Sequence, residues 1–514
     1  MAVEIELKLR IAPEQLARLK RHALLRAHQA TRPVTRRIYN IYYDTPKLEL
    51  HESGMALRLR HAGRQWLQTL KGGGSVKAGL HQRNEWEVQV RGPELDFDFP
   101  GAADWKAHLP PSLHKKLQPV FVTDFSRNSR ILNFQGAQIE LCMDQGEVSA
   151  GQHNMPICEI ELELKSGDSR QVFELALAIL DIVPFELEVV SKAEYGYRQF
   201  SGFTAQPLKS VAPHISGNDM LADVLKMLIW SCVQHFQNNL RGAMDGEDAE
   251  YLHQMRVALR RLRVILRMTE KLKPDETLAG LYKDVSDLCI ALGRIREWDV
   301  FIAGTLQPMC GRMSGHAGLQ TLLEASERQR TACYETLRGA SRARELQRLL
   351  LRFAIWMNGE YWRQADWQAP SAVPTVGEFA ARSLRRLARQ FERSCLHLDT
   401  FDAPRLHLLR IAAKKLRYSA ESFAELYGRK KSASYLAALS EVQEVLGQVN
   451  DVAVAHRLLD ELVADTALAA HRQETVMEAV NLSRGWIAHD LDHQLDVLRK
   501  TIRRFNKKET FWEK

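Results

Sequence analysis

The spacing of apolar residues changes near residue 200, and this change limits the chain to two kinds of structure joined in sequence. Before that point apolar and charged residues alternate, as in residues 3–10, where four aliphatic and four charged side chains take turns. After residue 219 apolar residues recur three and four positions apart in long segments rich in Leu, Ala and Arg. A period of two indicates β-strands and a period near 3.6 indicates α-helices. We therefore predict an α+β chain with a mainly β first half and an all-helical second half.

The alternating segments predict an antiparallel sheet with one charged face. Alternation recurs in residues 55–61, 84–91, 137–144, 157–165 and 185–190, and helical patterns cover residues 13–25 and 169–180. This number of strands is enough for the sheet to close into a β-barrel of about eight strands, whose interior can hold one small ligand. The two helices would then flank the barrel on its outside.

Residues 203–218 contain two prolines and several turn-forming residues without sustained periodicity, which is typical of a linker. The predicted domains are therefore residues 1–202 and residues 219–505. A chain of 514 residues exceeds what one hydrophobic core usually organises, which agrees with two domains.

An internal repeat organises the helical half. The segment from His253 to Arg263 recurs as the segment from His407 to Arg417, with basic residues at matching positions. At the same offset, Leu-Gly pairs are followed by the acidic residues Glu297 and Asp451. We therefore predict a helical bundle built from two copies of one unit.

The helical half also carries most of the positive charge. Lys and Arg outnumber Asp and Glu by 45 to 38 after residue 200, but only by 26 to 25 before it. On a helix, positions 253, 256, 260 and 263 share one face, as do positions 407, 410, 414 and 417. These faces predict binding of a polyanion, and because they lack the aromatic residues that stack on bases, we favour a repeated phosphate over nucleic acid. A metal-binding use of His253 and His407 is the alternative.

The charged face of the β half combines acidic and basic rows on separate strands. The rows are either solvated faces of an open sheet or the lining of a closed barrel. Inside a barrel, Arg and Lys could neutralise a chain of phosphates while carboxylates held Mg²⁺ or Mn²⁺ ions bridging to phosphate oxygens. The sequence therefore favours a barrel that binds a small phosphate-containing anion together with a divalent metal.

The N-terminal residues also resemble a known family. Glu4-x-Glu6-x-Lys8 resembles the signature of the CYTH superfamily, also called triphosphate tunnel metalloenzymes, and later motifs follow in that family's order. Those motifs are Tyr42-Tyr43-Asp44-Thr45, Arg58-x-Arg60, Lys71, Glu85-x-Glu87, Arg127, Asp144, Glu159-x-Glu161-x-Glu163 and Lys192. The resemblance implies an eight-stranded tunnel that hydrolyses inorganic triphosphate with a divalent metal.

Roles follow from this resemblance residue by residue. The implied metal ligands are Glu4, Glu6, Asp144, Glu159, Glu161 and Glu163. The implied phosphate-binding residues are Lys8, Arg58, Arg60, Lys71, Arg127 and Lys192, while Glu85 and Glu87 would hold either metal or a neighbouring arginine. The implied catalytic set is Glu4, Glu6, Lys8, Arg58, Arg60, Lys71 and Lys192.

Residues 219–505 resemble the CHAD domain, a helical domain named for its recurring histidines, and that resemblance implies polyphosphate binding. The implied binding residues are His253, Arg256, Arg260, Arg263, His407, Arg410, Lys414 and Arg417. The segment from Arg296 to Asp299 is not matched fully in the second repeat, and its role stays open.

Two other functions remain open at this level. Related tunnels accept organic triphosphates, so an adenylate cyclase or a thiamine-triphosphate hydrolase is one alternative, and a non-catalytic polyphosphate-binding scaffold is the other. The charged N-terminus, and the lack of an apolar run of about 18 residues, predict a cytoplasmic protein without a membrane span.

Overall fold

The computed structural model describes residues 2–99, 105, 108–246, 248–368, 373–396, 403–464, 473–489 and 491–513. The chain divides into two compact units. The first unit comprises Met1–Gln206 and Ala343–Gly359, and the second comprises Pro207–Arg342 and Glu360–Lys514. The first boundary lies within the segment interpreted from the sequence as a linker. Residues 343–359, which the sequence analysis assigned to the helical domain, belong to the first unit.

The first unit is built on one antiparallel sheet. Its strands are β1 Ala2–Arg10, β2 Val34–Asp44, β3 Met55–Ala62, β4 Gln65–Lys77, β5 Leu80–Val90, β6 Gln118–Phe134, β7 Ala137–Ala150, β8 His153–Ser166 and β9 Glu186–Leu187. The strand order is β5-β4-β3-β2-β6-β7-β8-β1-β9, and β1 also pairs with β5. This last pairing closes β1 to β8 into a barrel, with β9 added beside the end of β1.

Helices flank the barrel. They are α1 Pro13–Lys20, α2 Ala23–His28, α3 Glu49–Glu52, α4 Pro111–His114, α5 Ser169–Ile182 and α6 Lys192–Ser201. Helix α5 starts at a capping box of Asp168 and Gln171 and packs against β1 and β8. The alternation seen in the sequence thus gives β1 two different faces. Leu7 and Leu9 are fully buried on one face, and the charged residues lie on the other.

The second unit is all helical. Its helices are α7 Leu221–Asp245, α8 Ala249–Leu272, α9 Glu276–Phe301, α10 Gln307–Arg312, α11 Ala317–Arg338, α13 Val376–Ser394, α14 Ala403–Phe423, α15 Arg429–Ala464, α16 Gln473–Ala488 and α17 Leu491–Phe505. Helix α12, Ala340–Met357, follows α11 and precedes α13 in the chain. Most of this helix belongs to the first unit. The two repeats lie in α8 and α14, which contact each other.

The fold predicted from the sequence is confirmed: a closed antiparallel eight-stranded barrel precedes a helical region. Among the described residues, no helix combines the length and the hydropathy needed to cross a membrane.

Candidate functional site

Three buried carboxylates meet inside the barrel. The register pairs Asp144 on β7 with Glu159 on β8, and Glu161 of β8 lies opposite Lys8 of β1. One carboxylate oxygen from each of Asp144, Glu159 and Glu161 lies within 4.8 Å of the other two. This spacing and this all-oxygen donor set suit a hard divalent cation such as Mg²⁺ or Mn²⁺.

Lys192 lies at the centre of these carboxylates. It is the first residue of α6, whose start is fixed by the Ser191 hydroxyl accepting a hydrogen bond from the Glu194 amide at 3.2 Å. The Lys192 Nζ is 2.7 Å from Asp144 Oδ2 and 2.9 Å from Glu161 Oε1, and it also donates to Glu159. A helix N-terminus therefore carries the ammonium group into the barrel.

Two further cations complete the acidic cluster. Arg127 donates to both carboxylate oxygens of Asp144, at 2.8 and 2.6 Å, and also to Glu161. Lys8 donates to Glu161, and its Nζ is 2.9 Å from Glu6 Oε1. Each carboxylate is thus paired, as burial of charge requires.

The pKa values of two glutamates diverge in this cluster. Burial opposes ionisation of Glu6, but the charges of Lys8, Lys71 and His81 together outweigh it and lower the pKa of Glu6 to about 2. Burial, together with the charges of Glu161 and Asp144, raises the pKa of Glu159 to about 7 despite nearby Lys192. Glu159 therefore holds a proton more easily than Glu6 does.

A second region of the interior is mainly basic. The Nη2 atom of Arg58 is 3.4 Å from Glu85, and Arg60 donates from Nε to the Asn40 side-chain oxygen at 3.1 Å. Burial and the positive charges of Arg58 and Arg127 lower the pKa of Arg60 to about 10. Within the described part of the chain, no carboxylate forms an ion pair with Arg60. A half-buried cation without an ion-pair partner is suited to bind an anionic ligand.

The remaining predicted residues of the barrel lie away from the three carboxylates or at their edge. Lys71 bridges Glu4 at 2.5 Å and Glu85 at 3.2 Å. The exposed Glu87 accepts a hydrogen bond from Thr69 at 2.9 Å. Glu163 pairs with Lys165 at 2.6 Å, and Lys165 also contacts Glu140 at 3.0 Å. Among the six predicted metal ligands, the structure therefore brings together Asp144, Glu159 and Glu161.

Asp44 of the Tyr-Tyr-Asp-Thr motif has a structural role. Its fully buried carboxylate accepts hydrogen bonds from the amides of Thr45 at 2.7 Å, Leu50 at 3.0 Å and His51 at 2.9 Å. These bonds fix the turn between β2 and α3. The neighbouring Tyr42 faces the basic region, where the charges of Arg58 and other cations outweigh burial and lower the pKa of its hydroxyl.

In the helical unit, basic residues of both repeats converge. Burial, then the charges of Arg410, Arg260 and Arg256, lowers the pKa of Lys414 to about 6. Burial and Arg260 lower the pKa of Arg256 to about 10, while burial and Arg296 lower the pKa of His253 to about 4. We call Arg256, Arg260, Arg410 and Lys414 the basic cluster.

Hydrogen bonds hold parts of this cluster in place. Arg256 donates from Nη1 to the carbonyl oxygen of Cys289 at 3.1 Å, and Arg260 donates from Nε to the Tyr418 hydroxyl at 2.8 Å. The sequence analysis did not identify Tyr418 or Arg296 as part of this site. Arg296 had only one sequence signal, its position beside the acidic residue that recurs in both repeats.

The remaining residues predicted for the helical site differ in their exposure and in the side chains that they contact. His407 is exposed, although its repeat partner His253 is half-buried. The Nε of Arg417 is 2.7 Å from Glu421, and Arg263 interacts with Cys289. The repeat in sequence therefore does not give matching surroundings at every position.

Comparisons with known proteins identify two successive domains in the chain. The CYTH domain model matches residues 2–195, and the CHAD domain model matches residues 227–460. An inorganic triphosphatase of Haemophilus influenzae is 36% identical over 208 residues. That match covers 38% of this chain and 55% of the relative, so the chain spans about half the length of the curated relative that it matches.

Two solved structures are similar to parts of the chain. The CHAD domain from the plant Ricinus communis is 30% identical with a TM-score of 0.49, covering 58% of this chain and 97% of that one. A Hippeastrum protein with a dominant triphosphatase activity is 18% identical with a TM-score of 0.30, covering 40% of this chain and 98% of that one. Both TM-scores are below 0.5, so the assignment of the two domains depends on the domain models.

Proposed function

Because the chain combines a CYTH domain with a CHAD domain, we propose that its barrel hydrolyses inorganic triphosphate to pyrophosphate and orthophosphate. The observation that carries this proposal is that the barrel interior contains both an acidic region and a basic region. Three clustered carboxylates lie beside Lys192, and a basic region containing Arg58 and Arg60 lies within the same closed barrel. A pure anion binder has no use for buried carboxylates, whereas a metal–triphosphate complex needs both regions.

Asp144, Glu159 and Glu161 would hold Mg²⁺ or Mn²⁺. Bound there, the ion would neutralise charge on the phosphate oxygens and lower the pKa of a water molecule. In this structure Lys192 and Arg127 both pair with the Oδ2 atom of Asp144. With the metal bound, Lys192 and Arg127 would exchange this carboxylate for phosphate oxygens of the substrate.

The basic residues would bind and orient the phosphate chain. Arg58 and Arg60 each present several N–H groups, and Arg60 has no carboxylate to satisfy among the described residues. Their forked geometry suits phosphate oxygens. Lys8, Lys71, Arg127 and Lys192 would stabilise charge that develops as water attacks the terminal phosphorus in line, a step that depends mainly on positioning and electrostatics.

The helical unit would bind longer polyphosphate. Burial, and repulsion by Arg410, Arg260 and Arg256, lower the pKa of Lys414. Burial, and repulsion by Arg260 and Arg296, lower the pKa of Arg256. A polyanion would relieve this repulsion and bind more tightly the more charges it brings. We further propose that the protein acts in the cytoplasm, where its seven unpaired cysteines would stay reduced.

The direct experiment is phosphate release from inorganic triphosphate, ATP and thiamine triphosphate by the purified chain, with Mg²⁺, with Mn²⁺ and with EDTA. Release from inorganic triphosphate that needs metal and exceeds release from the two organic substrates is the expected result. Release from an organic triphosphate alone would instead indicate a tunnel enzyme that uses a nucleotide or thiamine triphosphate. No release under any of these conditions would leave polyphosphate binding as the function.

A further inference from the structure

A glutamine far along the chain completes the edge of the barrel. Gln347 lies on α12, within the segment Ala343–Gly359 that belongs to the first unit. Its side chain is 5% exposed, and its Oε1 accepts a hydrogen bond from the Leu187 amide at 2.9 Å. A buried backbone amide at a sheet edge needs such a partner, because an unpaired one is costly.

The strand that Gln347 holds leads directly to Lys192. Strand β9 contains only Glu186 and Leu187, which pair with Arg10 and Leu9 of β1. One residue later, the Glu188 amide donates to the Lys8 carbonyl oxygen at 2.8 Å. Only four residues, 188–191, separate Leu187 from Lys192. A two-residue strand has few bonds of its own, so each one fixes a large share of its position.

Glu188 ties this segment to its surroundings on both sides. Its carboxylate accepts from the Val190 amide at 2.9 Å and from the Tyr195 hydroxyl at 2.6 Å, while its carbonyl oxygen is 3.1 Å from His81 Nε2. Tyr195 is on α6, the helix that begins with Lys192. Any shift of β9 would therefore be passed to the start of α6.

We propose that Gln347 is a positioning residue that holds β9 and thereby sets the place of the Lys192 ammonium among Asp144, Glu159 and Glu161. The inference about activity rests on the proposed function, since it takes Lys192 to act on the triphosphate. The catalytic unit is then discontinuous in sequence, because a segment more than 150 residues beyond Lys192 is needed to finish it.

The first test is amide hydrogen exchange in the full-length chain carrying Gln347→Ala. We expect faster exchange of the Leu187 amide and of the amides up to Lys192, with the rest of the barrel as protected as before. Arg348→Ala is the matched control, because Arg348 is on the same helix and pairs with Asp181 at 2.6 Å on the surface. Unchanged exchange at residues 188–192 would overturn the proposal, whatever activity the protein has.

The second test is kinetic and uses the same variants with inorganic triphosphate. A small misplacement of a catalytic group can cost orders of magnitude, so we expect kcat to fall by about 10-fold or more in Gln347→Ala and to stay unchanged in Arg348→Ala. In a Lys192→Arg background, which keeps the charge, the effect of Gln347→Ala should largely disappear. An equal fold-loss in both backgrounds would show a general defect and overturn the positioning role.

The two tests separate the two claims. If the unaltered protein releases no phosphate from triphosphate, the proposed function fails, while the exchange experiment still decides whether Gln347 holds the segment. If the protein is active and exchange changes as expected, but kcat in Gln347→Ala equals that of the unaltered chain, the positioning role is rejected and the proposed function stands.

Discussion

Arg260 in the first helical repeat donates from its Nε to the hydroxyl oxygen of Tyr418 in the second, at 2.8 Å. This bond joins the two repeats at the point where their basic residues meet. Lys414 lies among the same residues, where burial and the charges of Arg410 and Arg260 lower its pKa from 10.5 to about 6. The free protein therefore holds Lys414 largely neutral at pH 8.

Binding of polyphosphate should make the protein take up protons. A polyanion beside Lys414 raises its pKa towards the ordinary value, so the complex holds more protons than the free protein between about pH 6 and pH 10.5. Affinity should accordingly fall as the pH rises through this window. Titration calorimetry at pH 8 in two buffers of different ionisation enthalpy would measure the uptake, which Lys414→Met should reduce and Lys415→Met should leave in place. Equal uptake in Lys414→Met would assign the protons to another group.

Glu161→Gln should nearly abolish metal-dependent hydrolysis. Glu161 faces Asp144 and Glu159 and also receives hydrogen bonds from Lys8 and Lys192. Removing its charge should weaken binding of the proposed metal and disturb two lysines that we propose to bind phosphate, so we expect kcat to fall by about 10²-fold or more. Mn²⁺ binding, followed by electron paramagnetic resonance, should weaken in parallel. Glu140→Gln on β7 is the control, because Glu140 pairs with Lys165 and is not one of the three clustered carboxylates. Full activity of the Glu161→Gln variant would show that Glu161 is not a metal ligand.

Charge reversal in the basic cluster should separate the two activities. The double variant Arg256→Glu with Arg410→Glu puts two negative charges beside Lys414, and we expect the affinity for long-chain polyphosphate to fall by about 10-fold or more. Hydrolysis of triphosphate should stay within about 2-fold, because these residues belong to the other compact unit. Arg382→Glu with Arg389→Glu, on exposed positions of α13, controls for net charge. An equal loss of affinity in both double variants would mean that overall charge, and no particular site, attracts the polyanion.

Asp44→Ala should destabilise the barrel without altering a substrate-binding group. The variant leaves the amides of Thr45, Leu50 and His51 without their acceptor in a buried turn, which should cost about 3 kcal/mol. The midpoint of denaturant unfolding of the barrel would measure this loss. Asp124→Ala removes an ion pair with the exposed Arg37, and it should change the free energy of unfolding by less than about 1 kcal/mol. Loss of activity in a fully stable Asp44→Ala protein would instead point to a direct catalytic role.

The sequence predicted the barrel, the helical region and their order, because alternation and the repeat are local signals. It could not predict which carboxylates meet. Glu159, Glu161 and Glu163 share one face of β8, yet the pairing of β7 with β8 brings Asp144 to the first two, while Lys165 neutralises the third. That outcome depends on register and on neighbouring side chains, neither of which alternation specifies.

The sequence also failed to predict two further features of the structure. Gln347 is an ordinary polar residue in a helical pattern, and only the packing of its helix brings it to the Leu187 amide. The repeat in sequence also predicted equal roles for His253 and His407, whereas one is half-buried and the other exposed. Equivalent positions in a duplicated unit meet different neighbours once the copies pack, so the sequence pattern overstates their similarity.

The closure of the barrel through β1 also orders events during protein synthesis. Strand β1 is made first, but its partners β5 and β8 and the Lys192 segment follow much later, and Gln347 later still. Contacts between residues so far apart in sequence form slowly and leave edges unpaired in the meantime. The nascent chain therefore carries the charged strand β1 without its last strand partner until Leu187 has been made, and the protein can acquire its complete interior only after Gln347 has also left the ribosome.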